Sequence, residues 1–337
     1  PCRATDVWVL GEPARPLPST AARSAPQVDF LTAVPTRAAD SLYWLGRASE
    51  RAEVVARAAR VIATAPPALG WAGRPTPAMR LLAALTGFGD DDTMDRIAAA
   101  STLAEARQIA VRAASSSIEF HVGSMLAESA SVREFLSATT GRVLGEMVDT
   151  REHLMEHPGD VDALDAVLFQ LSAFGGLWSE SVVRGPAWYF GDFAKRYERA
   201  VVALTSAVSA IRFSVDVDDP DHPGRGLEAV LAANDSLVAY RRRHRSEVEI
   251  GAVLALLLHD QRNPRSAAAS LAGLVRNAEA IGWEAGLGRI NEFADAVEGV
   301  AADPDEGVLR STVDRLHELA AELTSTRLVA PPHPTLV

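Results

Sequence analysis

Apolar positions along this chain recur three and four residues apart, and two-residue alternation is scarce. That period belongs to helices packed through one face. The pattern predicts helices over 36–64, 77–86, 92–114, one or two over 117–156, and 160–174. It predicts more over 186–213, 226–259, 265–281, 287–301 and 305–327. Their ends carry the expected signals. Thr36 and the Thr76-Pro77 pair read as starts, and Pro66-Pro67 and Pro158-Gly159 as stops. Gly175-Gly176 reads as a kink or end, and Asn263-Pro264 as a turn. Ser115-Ser116-Ser117 reads as the cap of the helix after it. The fold class expected is all-α, a large helical bundle.

Two segments of this pattern echo one another. Tyr43-Trp44-Leu45-Gly46-Arg47 runs into Glu50-Arg51-Ala52, and Trp188-Tyr189-Phe190-Gly191 runs into Glu198-Arg199-Ala200. The offset from Glu50 to Glu198 is 148 residues. Ser117 and Ser266, each read as opening a helix, keep nearly that spacing. A shared period points to tandem duplication, with halves 36–185 and 186–330.

On a wheel of residues 42–62, Tyr43, Trp44, Val54, Val55, Val61 and Ile62 form the apolar face. Ser49, Glu53, Ala56 and Arg60 fall opposite. Arg51 projects from the middle of the apolar face, with Arg47 one turn back and Glu50 at its edge. A buried arginine needs acceptors, because an unpaired buried charge costs several kcal/mol. Two readings stay open: an ion-pair network between helices, or a site where guanidinium groups grip a carboxylate or phosphate. In the second segment Asp192, Lys195 and Arg199 lie along one face and can neutralise one another.

Ser41-Leu42-Tyr43-Trp44-Leu45-Gly46-Arg47 with Glu50-Arg51-Ala52-Glu53 resembles the opening of the bacterial Alpha-E family of helical proteins with a Glu-Arg motif. Arg184, Trp188 and Phe190 before Glu198-Arg199-Ala200 are similar to its second motif. Tyr240-Arg241 also fits, as does Leu256-Leu257-Leu258-His259-Asp260 with Asn263-Pro264-Arg265-Ser266. The resemblance covers roughly residues 36–325. Two departures stand out. Ser115-Ser116-Ser117 replaces the family's Asn-Pro-type lead, and Ala127-Glu128-Ser129-Ala130 replaces a basic, acidic and amide run before Ser131-Val132-Arg133.

The resemblance implies a neighbour. In similar multidomain proteins the Alpha-E domain follows a circularly permuted ATP-grasp domain. Asp6-Val7-Trp8-Val9-Leu10-Gly11 resembles the end of such a domain, so residues 1–11 are expected to be its tail. Residues 12–35 hold five prolines among Ala, Ser and Thr and read as a linker to the helical domain at 36–330. ATP and magnesium are expected only for the ATP-grasp partner in cis, with no cofactor for the helical piece.

Composition narrows the partners. The chain has 337 residues and a net charge of −11, which argues against a nucleic-acid backbone as partner. The run Arg241, Arg242, Arg243 and Arg245 is a local exception, read as a solvated face or a protein contact. One cysteine excludes an internal disulfide and a cysteine-based zinc site. No apolar run of membrane-spanning length and no secretion signal stand out, so a cytoplasmic protein with no membrane partner is expected. His153-x-x-x-His157 and the Asp216, Asp218, Asp219 and Asp221 cluster are discounted as metal sites, the first because Pro158 ends its helix and the second because its spacing fits no EF-hand. His259-Asp260 near Arg265 fits acid–base work or a helix end equally well.

Three functions follow. The first is an accessory module that holds a peptide or carboxylate substrate, or a partner, for an ATP-grasp amidoligase. The second is an enzyme with Glu50, Arg51, Glu198, Arg199 and Arg265 in a cleft between the halves. The third is a structural scaffold. The candidate anion- or substrate-binding residues are Arg47, Glu50, Arg51, Lys195, Glu198, Arg199 and Arg265.

Overall fold

A computed structural model describes residues 35–65, 71, 73–86, 91–215, 223–245, 247–300 and 305–327. The expected ATP-grasp tail at 1–11, nearly all of the 12–35 linker and the Asp216–Asp221 cluster lie outside the described residues. Among the described residues there is no strand, and the chain is all-α.

The first half contains α1 (Thr36–Thr64), α2 (Pro77–Thr86), α3 (Asp91–Ala99), α4 (Leu103–Ser131), α5 (Ala138–Glu156) and α6 (Val161–Ser181). The second contains α7 (Pro186–Ser214), α8 (Pro223–Ala233), α9 (Leu237–Arg243), α10 (Ile250–Leu254), α11 (Ala267–Ala280), α12 (Glu284–Gly299) and α13 (Glu306–Arg327). A single π-helical turn, Ala255–His259, follows α10. Polar caps start several helices by satisfying free amides of the first turn. Thr102 accepts from the Glu105 amide, Ser137 from Thr140, Asp160 from Asp162 and Ser266 from Ala269. Pro186 occupies the first turn of α7, where its missing N–H costs nothing.

α1 and α7 are the two central helices. α1 packs on α2, α4 and α6; α7 packs on α8, α11 and α13. The smaller helices cross over, α2 reaching α7 and α8 reaching α1. The core has one apolar cluster around α1 and another around α7, with Tyr43 and Ala39 of α1 joining the second. Side-chain contacts between the two central helices link residues 147, 149 and 151 apart, so the helices run parallel. Their backbones meet at Gly46 and Gly191. A Cβ on Gly46 would lie 2.3 Å from the Gly191 carbonyl oxygen, so only glycine permits this approach.

Several boundaries differ from those the sequence predicts. The 92–114 segment breaks at residues 100–102, where Thr102 caps a new helix. That helix, α4, continues through Ser115-Ser116-Ser117, and Ser115 is buried within it. With no proline there, the serines open nothing, while Ser266 after Pro264 does cap a helix. The 226–259 segment splits at Asp235, whose φ is +52°, and again after Arg243. Gly175-Gly176 does not end α6, which runs through both glycines to Ser181. Thr36 is the first residue of α1, and Pro35 before it offers no side-chain cap. α6 is long and apolar enough to cross a membrane by length and composition, unlike the sequence expectation, and it buries Leu164, Val167, Leu171, Phe174 and Trp178 in the core.

The wheel of α1 also needs correction. Ser49, Glu53 and Ala56 are buried although they lie opposite the apolar face, because α1 is surrounded by neighbours. Trp44, placed on the apolar face, is 39% exposed and donates its indole N–H to Asp40.

Candidate functional site

The Glu-Arg motifs of α1 and α7 face each other and exchange partners. Glu50 accepts from Arg199 at both oxygens, at 2.7 and 2.8 Å, and Lys195 Nζ lies 3.6 Å away. Glu198 in turn accepts from Arg51 Nε at 2.9 Å and Arg47 Nε at 2.5 Å. Each carboxylate is thus held by the arginine of the opposite motif and by the basic residue one turn before it.

The two ends of this exchange differ. Around Glu50 the network is closed. Glu50 is 4% exposed, and next to it Glu53 is bound by Arg57 and by Arg265. Arg196 binds Asp192, which also accepts from Asn277. Burial would raise the Glu50 pKa, but Arg199 and Lys195 hold it down, to about 2. Burial pushes the Lys195 ammonium below its ordinary range, with Glu50 opposing the shift. Burial would lower the Arg199 pKa too, yet Glu50 keeps it fully charged. This is an interhelix ion network of the kind that is costly to break from one side.

Around Glu198 the network opens. Arg47 is nearly buried, its guanidinium lying over Trp44 at 5.0 Å and Tyr197 at 4.9 Å, a cation–π enclosure. Arg51, expected mid-core, has a 41% exposed side chain. It bonds Glu198 through Nε, and its two terminal nitrogens make no hydrogen bond among the described residues. Arg51 and Glu198 line a cavity of about 260 Å³. Thr205 of α7, His121 of α4 and His317 of α13 complete its polar side, and Val54, Val55, Leu85, Val201, Val202 and Val313 its apolar side.

Both histidines are held neutral. Burial, then the charges of Arg51 and Arg47, push His121 down to about 4. Burial likewise lowers His317, whose Nδ1 lies 2.6 Å from the Tyr197 hydroxyl. Burial raises the Tyr197 phenol, so it stays protonated, and raises that of Tyr43 to about 12.

Of the candidates drawn from sequence, Arg51 and Glu198 therefore line a cavity, with Arg47 behind them. Glu50, Lys195, Arg199 and Arg265 form the closed network, which removes them from any open cleft between the halves. His121 and His317 had no sequence signal, because neither sits in a motif and both arrive from distant helices. Elsewhere, Arg241 pairs with Glu228 and Arg243 with Asp260. His153 bonds Asp160 and stacks on His157. Among the described residues no three His, Cys, Asp or Glu side chains gather as a metal site would require.

The helical body with reciprocal Glu-Arg motifs defines the class. Residues 34–328 match the family described as a predicted alpha-helical domain with a conserved ER motif, and the chain belongs to this Alpha-E family. It is similar to the uncharacterized protein Rv2567 of Mycobacterium tuberculosis, 27% identical over 377 residues, an alignment that covers 96% of this chain and 39% of the relative. The uncharacterized protein Mb2597 of Mycobacterium bovis matches to the same extent. The chain thus spans about 39% of the length of the curated relatives it matches. No solved structure matches it.

Proposed function

We propose that this chain is a ligand-holding helical module of an ATP-grasp amidoligase system, and that the cavity at Arg51 receives the carboxylate of a peptide-like substrate. The observation that carries the reading is the asymmetry of the exchange. Arg199 is spent on Glu50, whereas its counterpart Arg51 is anchored through Nε and keeps both terminal nitrogens, with four N–H groups, beside a cavity. A guanidinium fixed this way is pre-organised for a carboxylate. The apolar valines opposite suit an aliphatic side chain. The ATP-grasp association rests on the Asp6–Gly11 resemblance and on relatives long enough to carry a further domain. In this reading ATP and magnesium belong to that domain.

The same exchange supports a duplicated origin. The opening helices agree in length, α1 and α7 with 29 residues each and α2 and α8 with 10 and 11, and the Glu50–Arg199 and Glu198–Arg51 pairs mirror each other, whereas the 29-residue α4 has no counterpart of its length after α8.

Glu198 between Arg51 and two neutral imidazoles also favours a second reading, an acid–base site within the helical domain itself. The test is titration of the chain with an N-acetylated peptide acid and with its C-terminal amide. The module reading expects the acid to bind, the amide to fail, and Arg51→Met to abolish binding while the fold survives. Equal binding of acid and amide, or none of either, overturns it. Chemical conversion of the peptide by the chain alone, lost in His317→Gln, would favour the enzyme.

A further inference from the structure

A second pair of hollows lies over α11 and shares no lining residue with the Arg51 cavity. The larger, about 500 Å³, runs between α11 and α12 beside the π-helical turn. The smaller, about 250 Å³, lies next to it over the first turns of α11. They share Gln261, Ala272 and Arg276, so they form one continuous depression. Their sizes suit a small molecule.

The charges within it are segregated. Arg196, Arg262 and Arg276 line the smaller hollow, and no carboxylate does. Arg196 is partly neutralised by Asp192 and the charge of Arg262 acts on Asp260, while neither Arg262 nor Arg276 makes an ion pair among the described residues. Three guanidinium groups around one hollow repel one another, and the chain as a whole is acidic, with net charge −11. Glu298 lies in the larger hollow, where its charge acts on His259, and it makes no ion pair among the described residues although Arg276 borders the same space. His259 ends the π turn there, and its Nε2 is buried without a hydrogen-bond partner. Opposite charges that share a depression yet leave each other unpaired are what a ligand carrying both charges would satisfy.

We infer that this depression is a binding site for a small zwitterion, its anionic end held by Arg196, Arg262 and Arg276 and its ammonium by Glu298. The anionic end is a carboxylate, as in an amino acid or dipeptide, or a phosphate, as in an amino-alcohol phosphate. Aliphatic walls at Leu271 and Val297 receive the body of the ligand. The inference is independent of the Arg51 cavity.

Calorimetric titration of the whole chain tests it, with alanyl-alanine, N-acetyl-alanyl-alanine and phosphoethanolamine as probes. The same titrations on Arg51→Met remove any contribution of the first cavity. Saturable binding of alanyl-alanine or phosphoethanolamine is expected, and the tighter of the two identifies the anionic end. Arg276→Met should weaken it by about tenfold or more, the loss of one charge-assisted contact. Glu298→Gln should abolish the preference for the free amine over the acetylated dipeptide. Both positions are exposed, so unchanged melting of these variants is expected. The inference fails if no probe binds saturably, if the acetylated dipeptide binds Arg51→Met as well as the free one, or if Arg276→Met leaves affinity unchanged.

Discussion

Glu50 of α1 and Arg199 of α7 form a two-pronged ion pair across the centre of the molecule, both arginine contacts lying at 2.7–2.8 Å. The pair joins the two central helices where both are most enclosed. Removing one charge leaves the other buried and desolvated, which costs about 3–5 kcal/mol for pairs of this kind. Glu50→Gln is therefore expected to destabilise the chain by about 3 kcal/mol in urea unfolding. Lys195→Met, which removes a buried cation then facing only the more distant charges of Glu53 and Asp192, should recover part of that loss in the double variant. A strictly additive double-mutant cycle would show that Lys195 and Glu50 do not interact.

Arg51 should respond differently, because its side chain is 41% exposed. Water takes over its unmet hydrogen bonds, and Arg47 still neutralises Glu198. Arg51→Met is expected to change stability by less than about 1 kcal/mol. A loss comparable to that of Glu50→Gln would make the open end of the exchange as structural as the closed end.

The parallel contact of α1 and α7 depends on Gly46. An alanine methyl there meets backbone, the Gly191 carbonyl at 2.3 Å, so the helices must separate. Gly46→Ala is expected to cost about 1–3 kcal/mol, although alanine is the better helix former. Unchanged or raised melting would contradict the close approach.

The helical class and most helix ends were legible from spacing and punctuation, since proline and capping residues act locally. The two Glu-Arg segments were legible as echoing motifs, but the mutual neutralisation of Asp192, Lys195 and Arg199 expected from their spacing does not form, because Glu50 of α1 takes both cations and Asp192 pairs with Arg196. The wheel failed on α1 because neighbouring helices cover the flank it assigned to solvent, so Glu50 at the edge is buried, while Arg51 at the centre borders the cavity and stays partly exposed. Ser115-Ser116-Ser117 misled because a serine cap and a serine inside a long helix look alike when no proline fixes the register. The cavity was not legible. Its histidines are brought to Arg51 by the packing of α4 and α13, a tertiary fact with no local signature.

Acid should unfold the chain in two stages. His121 keeps its neutral form down to about pH 4 when folded but takes up its proton near 6.5 when unfolded. Its contribution is complete above 6.5 and is lost as the pH falls from 6.5 to 4, on the order of 1–2 kcal/mol once screening of a partly exposed ring is allowed for. Glu50, with a folded pKa of about 2 against an ordinary 4.5, contributes above 4.5 and loses its share only between 4.5 and 2. His121→Gln should shrink the upper window, to which His317 and His259 also contribute, and leave the lower one, as measured by melting temperature against pH.

The depressed pKa of His121 ties this titration to the ligand. Burial and the positive charges of Arg51 and Arg47 keep the imidazole neutral. A carboxylate bound to Arg51 would offset those charges and favour the imidazolium, raising its pKa from about 4 toward 6.5. By linkage, binding then takes up a proton between those values, and affinity for a peptide acid rises as the pH falls through that window, until the carboxylate itself protonates. Calorimetry at pH 5.5 in two buffers of different ionisation enthalpy should report net proton uptake on binding. His121→Gln should bind with reduced uptake, the rest belonging to His317, whose pKa the same arginines lower, and His121→Gln combined with His317→Gln should bind with no uptake. Uptake that persists in the double variant would assign the proton to another group, and wild-type binding without uptake would place the carboxylate away from Arg51.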